Sequence, residues 1–324
     1  MGVVEVRPGT YAGSDIVEDA SHKTIVGEEL SEARISAPAG HNGTRERAFG
    51  YPRDFLDNRF VYIVLSPRAR GLSVGINLNP DGHCDYDCVY CEVDRRQKSS
   101  ASQLDPDVMA AELERTLQYI QSGQLLDRPA CKNLPTELLK LRHVALSGDG
   151  EPTLSPQFGA AIREAVHVRA LGKFPFFKLV LITNGSGLDR PEVQDGIKLL
   201  TRQDEIWIKL DGGTQAYLNK VNHPHGAQLE KTLANILLIA KQRPVVIQSL
   251  FPSVNGEAPP AEEIEQYAMA LRALREQGAH ISLVQIYSAT RPIQNPACGH
   301  LPLKSLSRIA QTVRLVAGLK AEVF

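Results

Sequence analysis

Cysteine and tryptophan are scarce in this chain, and so is any excess of one charge. Of 324 residues, five are cysteine, one is tryptophan and 6% are aromatic. Five is an odd number, too few to staple a fold of this length. A secreted-type disulfide framework is therefore excluded, and a reducing, cytoplasmic setting is expected. No apolar run reaches the length a membrane-spanning helix needs, so no membrane partner is expected. The opening "MGVVEVRPGTYAGSDIVEDA" carries acids and no apolar segment, so it does not read as a secretory signal, and its Met-Gly start has no context favouring lipidation. A formal net charge of −1 leaves no overall field to draw the chain to nucleic acid or lipid, although a local basic surface is compatible with it.

What is present is alternation. Residues 1–59 are polar, rich in Gly and charge, and read as an N-terminal extension. The character changes from "RFVYIVLSP" onward, and residues 60–324 read as one core domain. Short apolar runs recur at "SVGINL" (73–78), "LRHVALS" (141–147), "KLVLIT" (178–183), "EIWIKL" (205–210), "PVVIQSLF" (244–251) and "HISLVQIY" (280–287). They are rich in β-branched residues, as strands buried on both faces are. Between them lie helical patterns. One opens at Asp105-Pro106 with an N-cap and a proline at the first helical position. Another, "PPAEEIEQYAMALRALREQG", runs from acids to arginines and stops at Gly278. Further helices are expected over 156–170, 191–201, 227–241 and 302–317. Six strand–helix units imply parallel strands and right-handed crossovers. The expected fold is α/β, a partial (β/α)6 TIM-like barrel with an N-terminal extension. No G-x-G-x-x-G follows the first strand, and polar residues end every strand: Asn77 and Asn79, Ser147 and Asp149, Thr183 and Asn184, Lys209 and Asp211, Gln248 and Ser249, Gln285 and Tyr287. In barrels, that end carries the chemistry.

Three of the five cysteines crowd into "NPDGHCDYDCVYCEVDRR" (79–96), as Cys84, Cys88 and Cys91. Three soft thiolates in one loop suit a soft metal or an iron–sulfur cluster. A closed zinc site needs a fourth ligand, and His83, adjacent to Cys84, is awkwardly placed to be one. A zinc-stabilised binding protein, with this loop as a structural knuckle, is the alternative reading.

The C-x3-C-x2-C spacing directly after the first strand, followed by "LSGDGEPTL" (146–154) after the second, resembles the radical S-adenosylmethionine (radical SAM) superfamily. The pattern is similar to small stand-alone members likened to the wyosine-base-forming tRNA enzymes. The resemblance implies a [4Fe–4S] cluster on Cys84, Cys88 and Cys91, with one open iron chelating S-adenosylmethionine (SAM). It implies reductive cleavage of SAM to a 5′-deoxyadenosyl radical that abstracts hydrogen from a substrate, with a tRNA base or nucleotide as candidate. It also implies an electron donor such as flavodoxin or ferredoxin. Tyr90 is the expected adenine neighbour. Ser147, Gly148, Asp149, Gly150 and Glu151 form the expected SAM-binding turn, where Asp149 departs from the family's Gly-Gly-Glu-Pro. Thr183, Asn184, Lys209, Asp211 and Gln248 are further SAM candidates.

Other residues attract attention less specifically. His223 and His225 in "VNHPHG" read as a solvated loop. Arg68, Arg70, Arg95 and Arg96 are candidates to frame a mouth for a phosphate-bearing substrate, or else solvated basic positions, and Arg291 is a candidate to reach the top of the barrel. Cys131 and Cys298 stand far from the other cysteines in sequence; Cys298 reads as a plain buried thiol. Trp207 reads as core.

Overall fold

A computed structural model describes residues 55–93, 103–128, 131–226, 228–290, 293 and 295–324. Arg95, Arg96 and Arg291 lie outside the described residues. The strands are β1 (Val61–Ser66), β2 (Gly71–Asn77), β3 (Leu141–Ser147), β4 (Lys178–Thr183), β5 (Glu205–Lys209), β6 (Val245–Leu250), β7 (Ser253–Val254), β8 (Ile281–Tyr287), β9 (Cys298–Gly299) and β10 (Ala321–Val323). The helices are α1 (Pro106–Gln121), α2 (Phe158–Ala170), α3 (Pro191–Ile197), α4 (Gln215–Val221), α5 (Leu229–Ala240), α6 (Ala261–Glu276) and α7 (Leu303–Thr312).

One eight-stranded sheet runs β1-β2-β3-β4-β5-β6-β8-β10, and β7 with β9 forms a separate small ribbon. All neighbours from β2 to β10 are parallel; in this sheet β1 alone is antiparallel, paired with β2 from Val61↔Ile76 to Ser66↔Gly71. The six-strand reading is therefore correct for the parallel core and incomplete at both edges. The order is linear, so the barrel is open.

The strands bury both faces, but unequally. Val144, Leu146, Leu179, Leu181, Ile206, Ile208, Val245, Ile247, Val284 and Ile286 join the large core under the helices. The other face has a smaller apolar cluster of Val180, Trp207 and Val246, with Ile182 and Leu283 against it. In register, Ile182, Trp207, Val246 and Leu283 form one row across β4, β5, β6 and β8. Toward the C-terminal strand ends, the next row is polar: Lys209, Gln248 and Gln285. Toward the N-terminal ends, His143 and Lys178 lie side by side. The lumen is thus polar, apolar, polar from end to end.

Local chemistry sets the ends of the elements. Asp105 Oδ1 accepts from Asp107 N and Val108 N at 3.1 Å each, with Pro106 opening α1. Gly278, past α6, takes φ +95°. Buried Glu112 on α1 accepts from the backbone N–H groups of Arg59, Phe60 and Val61 at 2.7, 2.8 and 3.1 Å, clasping the entry to β1. Packing begins earlier than residue 60, since Phe55 is buried and its ring meets Tyr119 edge-on at 5.6 Å. Asp204 ties three elements together. Its carboxylate takes a two-point ion pair from Arg169 of α2 (2.6 and 3.1 Å), the N–H of Leu179 in β4 (2.7 Å) and two donors of Thr201 before β5.

Candidate active site

The cysteine loop follows β2 at the C-terminal end of the parallel strands. Its backbone is stitched to the chain leaving α4. Val89 N donates to Val221 O (2.8 Å), Asp87 N to Asn222 O (3.1 Å) and His225 N to Asp85 O (2.8 Å). The "VNHPHG" segment is therefore the loop's backing. His223 and His225 themselves are exposed there.

Cys84, Cys88 and Cys91 are half-buried, and none of them is in a disulfide. Asn222 Nδ2 lies 3.4 Å from Cys88 Sγ, and Asn184 Nδ2 lies 4.0 Å from Cys84 Sγ, so amide donors face two of the thiols. Burial pushes the Cys88 thiol up to about 12, with Lys209 opposing the shift. Among the described residues, no group of three His, Cys, Asp or Glu side chains is arranged to hold a single metal ion. A four-iron cluster takes each thiolate on a different iron, so its ligands do not have to meet at one atom. Cys131 and Cys298 are buried elsewhere, and burial raises the Cys298 thiol's pKa, in keeping with a plain thiol.

Behind the loop, Asp211 organises a buried knot. Its Oδ2 accepts from Asn222 Nδ2 (2.7 Å) and from the Tyr90 hydroxyl, while its Oδ1 accepts from Leu250 N (2.7 Å). Asn222 Nδ2 also reaches Tyr90 OH at 3.0 Å. This knot joins the cysteine loop, β5, β6 and the end of α4. Burial and then Asp211 raise the Tyr90 pKa well above that of a free phenol, so Tyr90 stays protonated and donates. Lys209 Nζ sits 5.2 Å from the centre of the Tyr90 ring. Burial opposes its charge, but Tyr287, Cys88, Asp211 and Cys91 outweigh burial and raise its pKa, so it is cationic at neutral pH.

The turn after β3 is built on close approach. Gly148 has φ +144°, and a Cβ there would meet Asn77 Oδ1 at 2.2 Å. A Cβ on Gly150 would meet His83 O at 1.9 Å, and Glu151 N donates to that same carbonyl (3.0 Å), so the turn presses directly on the cysteine loop. Asp149 serves this turn: Asn77 Nδ2 donates to its Oδ2 at 2.7 Å, and its own N–H donates to Asn77 Oδ1 at 3.0 Å. The buried Glu151 carboxylate accepts from Thr153 N and Oγ1, from the Thr183 hydroxyl and from Asn184 N, knotting the turn to the end of β4. Burial raises its pKa against those donors. Ser147 Oγ is 2.9 Å from Tyr62 OH; the Tyr62 ring lies over Gly75, where a Cβ would come within 2.1 Å of it.

Among the predicted residues, Tyr90, Lys209 and Asp211 thus gather with the thiols; Asn184 faces Cys84; Glu151 and Thr183 bond each other. Gln248 lies one strand over from Lys209 and donates to Gln285 Oε1 at 2.9 Å. Three buried oxygens at this end lack a hydrogen-bond donor among the described residues: Asn79 Oδ1, Asn222 Oδ1 and Gln248 Oε1. Asn222 and Tyr62 are what the sequence reading missed. Asn222 had one signal, an asparagine just past a helix end, and Tyr62 had the alternation of "VYIVLS". Arg68 stacks at 4.1 Å on Tyr287, the last residue of β8, whereas exposed Arg70 pairs with Glu322 at 2.9 Å.

A model of the radical SAM superfamily matches residues 78–259, more than half of the chain. The chain belongs to the radical SAM superfamily. It is 29% identical over 178 residues to a UPF0026 protein of Synechocystis sp., covering 54% of this chain and 57% of that protein. It is 27% identical over 161 residues to a UPF0026 protein of Methanocaldococcus jannaschii, covering 49% and 42%. The chain thus spans about half the length of these curated relatives. The fold is similar to a radical SAM methyltransferase from Sphaerobacter thermophilus (TM-score 0.57, 14% identity, 82% of this chain and 68% of that one). It is similar to TYW1 with a lysine-pyruvate adduct bound (0.50, 17%, 79% and 84%), and to Streptococcus suis SuiB bound to S-adenosylmethionine (0.53, 13%, 79% and 52%). No helix among the described residues is long and apolar enough to cross a membrane.

Proposed function

We propose that Cys84, Cys88 and Cys91 hold a [4Fe–4S] cluster and that SAM binds beside it at the C-terminal end of the barrel. The observation that carries this reading is the loop itself: three thiols on one turn, none in a disulfide, faced by amide donors and a half-buried lysine. The donor set is soft and suits iron–sulfur ligation. Cys84, Cys88 and Cys91 would hold the cluster, which with SAM beside it would supply one-electron reductive cleavage and so the hydrogen-abstracting chemistry of the site.

The chain's own residues have clear parts in this. Lys209 offsets the negative charge that thiolate ligation brings into a buried site. Asn222 and Asn184 direct N–H groups at sulfur, which stabilises the thiolate form. The ammonium, ribose hydroxyls and adenine amine of SAM are donors, and Asn79 Oδ1, Asn222 Oδ1 and Gln248 Oε1 are buried acceptors lacking one among the described residues. Gly148 and Gly150 let the turn from Ser147 to Glu151 approach closely, while Glu151 and Thr183 hold its shape. SuiB, a structural neighbour, has been captured with SAM bound. The likeness to wyosine-forming enzymes, with TYW1 among the neighbours, supports a tRNA base or nucleotide as substrate and a flavodoxin- or ferredoxin-type donor.

The test is anaerobic purification with metal analysis and a SAM cleavage assay. About four irons per chain are expected, and Cys88→Ala is expected to abolish 5′-deoxyadenosine formation. One tightly held zinc without iron, or cleavage by the variant at the wild-type rate, overturns the reading.

A further inference from the structure

At the opposite end of the barrel, where the parallel strands begin, there is a second opening. It is a cavity of about 1180 Å³, as large as sites that take whole cofactors or drug-sized ligands. The apolar row forms its inner wall, with Trp207, Val246 and Leu283 lining it. Its rim is basic. Eight lysines and arginines line the cavity against three carboxylates, in a chain whose formal net charge is −1.

The charge is only partly neutralised. Lys178 pairs with Glu205, Lys198 with Asp195 outside the cavity lining, and Arg70 and Lys320 share Glu322. Arg142 and Arg243 are different. Arg142 donates to the carbonyls of Arg70 (2.9 Å) and Glu137 (3.3 Å). Arg243 donates to those of Leu200, Thr201 and Asp204 (3.4, 2.7 and 2.6 Å). Both guanidiniums are held in place by backbone carbonyls, and neither makes an ion pair with a described residue. Arg202, exposed at the rim, makes no ion pair with any described residue. The Arg243 Nε is buried without an acceptor among the described residues.

A second observation points inward. His143 lines the cavity, is 2% exposed, and neither ring nitrogen has a hydrogen-bond partner among the described residues; its ring meets Trp207 edge-on at 5.2 Å. Unpaired buried polar atoms such as the Arg243 Nε are rare in native proteins and call for a partner. A flat indole, an unpaired imidazole and an apolar wall inside a ring of fixed guanidiniums match an organic molecule with a phosphate: a planar apolar body within, its charge at the rim.

We propose that this lower cavity is a binding site for a small phosphorylated ligand of nucleotide size, distinct from the SAM site. The cavity and the cysteine loop share no residue, and the inner end of the cavity is Gln285, whose side chain is bonded to Gln248 of the upper polar row; the proposal stands whether or not the loop holds a cluster.

Trp207 is the chain's single tryptophan, so its fluorescence reports on this cavity. The cluster-loaded full chain is titrated with adenosine 5′-monophosphate, ribose 5-phosphate, inorganic phosphate and adenosine. A saturable change is expected with the mononucleotide, and adenosine is expected to bind at least about tenfold more weakly, or about 1.4 kcal/mol. Added salt should weaken the mononucleotide alone. Arg202→Glu, an exposed change without packing cost, is expected to weaken it by about tenfold. Saturating SAM is expected to leave the binding intact. Absence of saturation with every phosphorylated probe overturns the proposal. So does equal binding of adenosine, an unaffected Arg202→Glu variant, or competition by SAM, which would put the nucleotide in the upper site.

Discussion

At the scale of single residues, Asn222 concentrates the dependence of the cysteine loop on its surroundings. Its one amide nitrogen is shared among Asp211, Tyr90 and Cys88. Asn222→Ala leaves the buried Asp211 carboxylate short of a donor, and a loss of about 2–3 kcal/mol is expected in urea unfolding of the iron-free protein. Iron retention should fall with it. An unchanged midpoint would mean that Asn222 does not anchor the loop. Gly150→Ala tests a different contact. Its new methyl group would collide with His83 O, so the variant is expected to keep its helical circular dichroism while losing most of its iron. The cysteines were legible because their spacing is local. Asn222 was not, because its partner Cys88 lies 134 positions earlier in the chain, and no periodicity records such a meeting.

At the scale of elements, the clasp between α1 and the start of β1 rests on one side chain. Glu112→Ala strands three backbone N–H groups, two of them buried, and is expected to cost about 3 kcal/mol, whereas Glu112→Gln keeps an acceptor and should cost less. Asp105→Ala, at the N-cap of the same helix, should cost about 1 kcal/mol. Thermal unfolding of the three variants checks the order, and equal shifts would refute it. Elements with strong local signals were readable: β3 and β4 run from Leu141 to Ser147 and from Lys178 to Thr183, as the apolar runs do. α1 starts at the proline that marked it. β1 was passed over because an antiparallel edge strand shows weaker continuity than a buried parallel one. α4 was missed because seven residues carry too little pattern; Thr214 caps it, accepting from Tyr217 N at 3.1 Å.

For the molecule as a whole, Asp204 is a carboxylate through which acid is expected to weaken the fold. Burial disfavours its charge, but Arg169 and the Leu179 and Thr201 donors prevail and hold its pKa below the ordinary aspartate value. A depressed folded pKa means that the contribution is complete above the unfolded value of about 4 and is lost as pH falls through the folded one. Asp204→Asn is expected to unfold about 3 kcal/mol more easily at neutral pH, and its gap to the wild type should close as pH drops below about 4. A gap independent of pH would exclude the charge as its source. The exposed Arg70–Glu322 pair joins the two edges of the open barrel, and at such exposure it is worth less than about 1 kcal/mol. The overall architecture was legible because six strand–helix units allow few topologies. The basic lower mouth was not, because its arginines and lysines are scattered between Arg68 and Lys320 and only the closing of the sheet collects them.

The stitching of the cysteine loop to residues 221–225 has a practical corollary. Anyone grafting this cysteine turn onto another barrel would have to move two cassettes together, since a transplant of the cysteines alone would arrive without the strip of chain on which they are mounted.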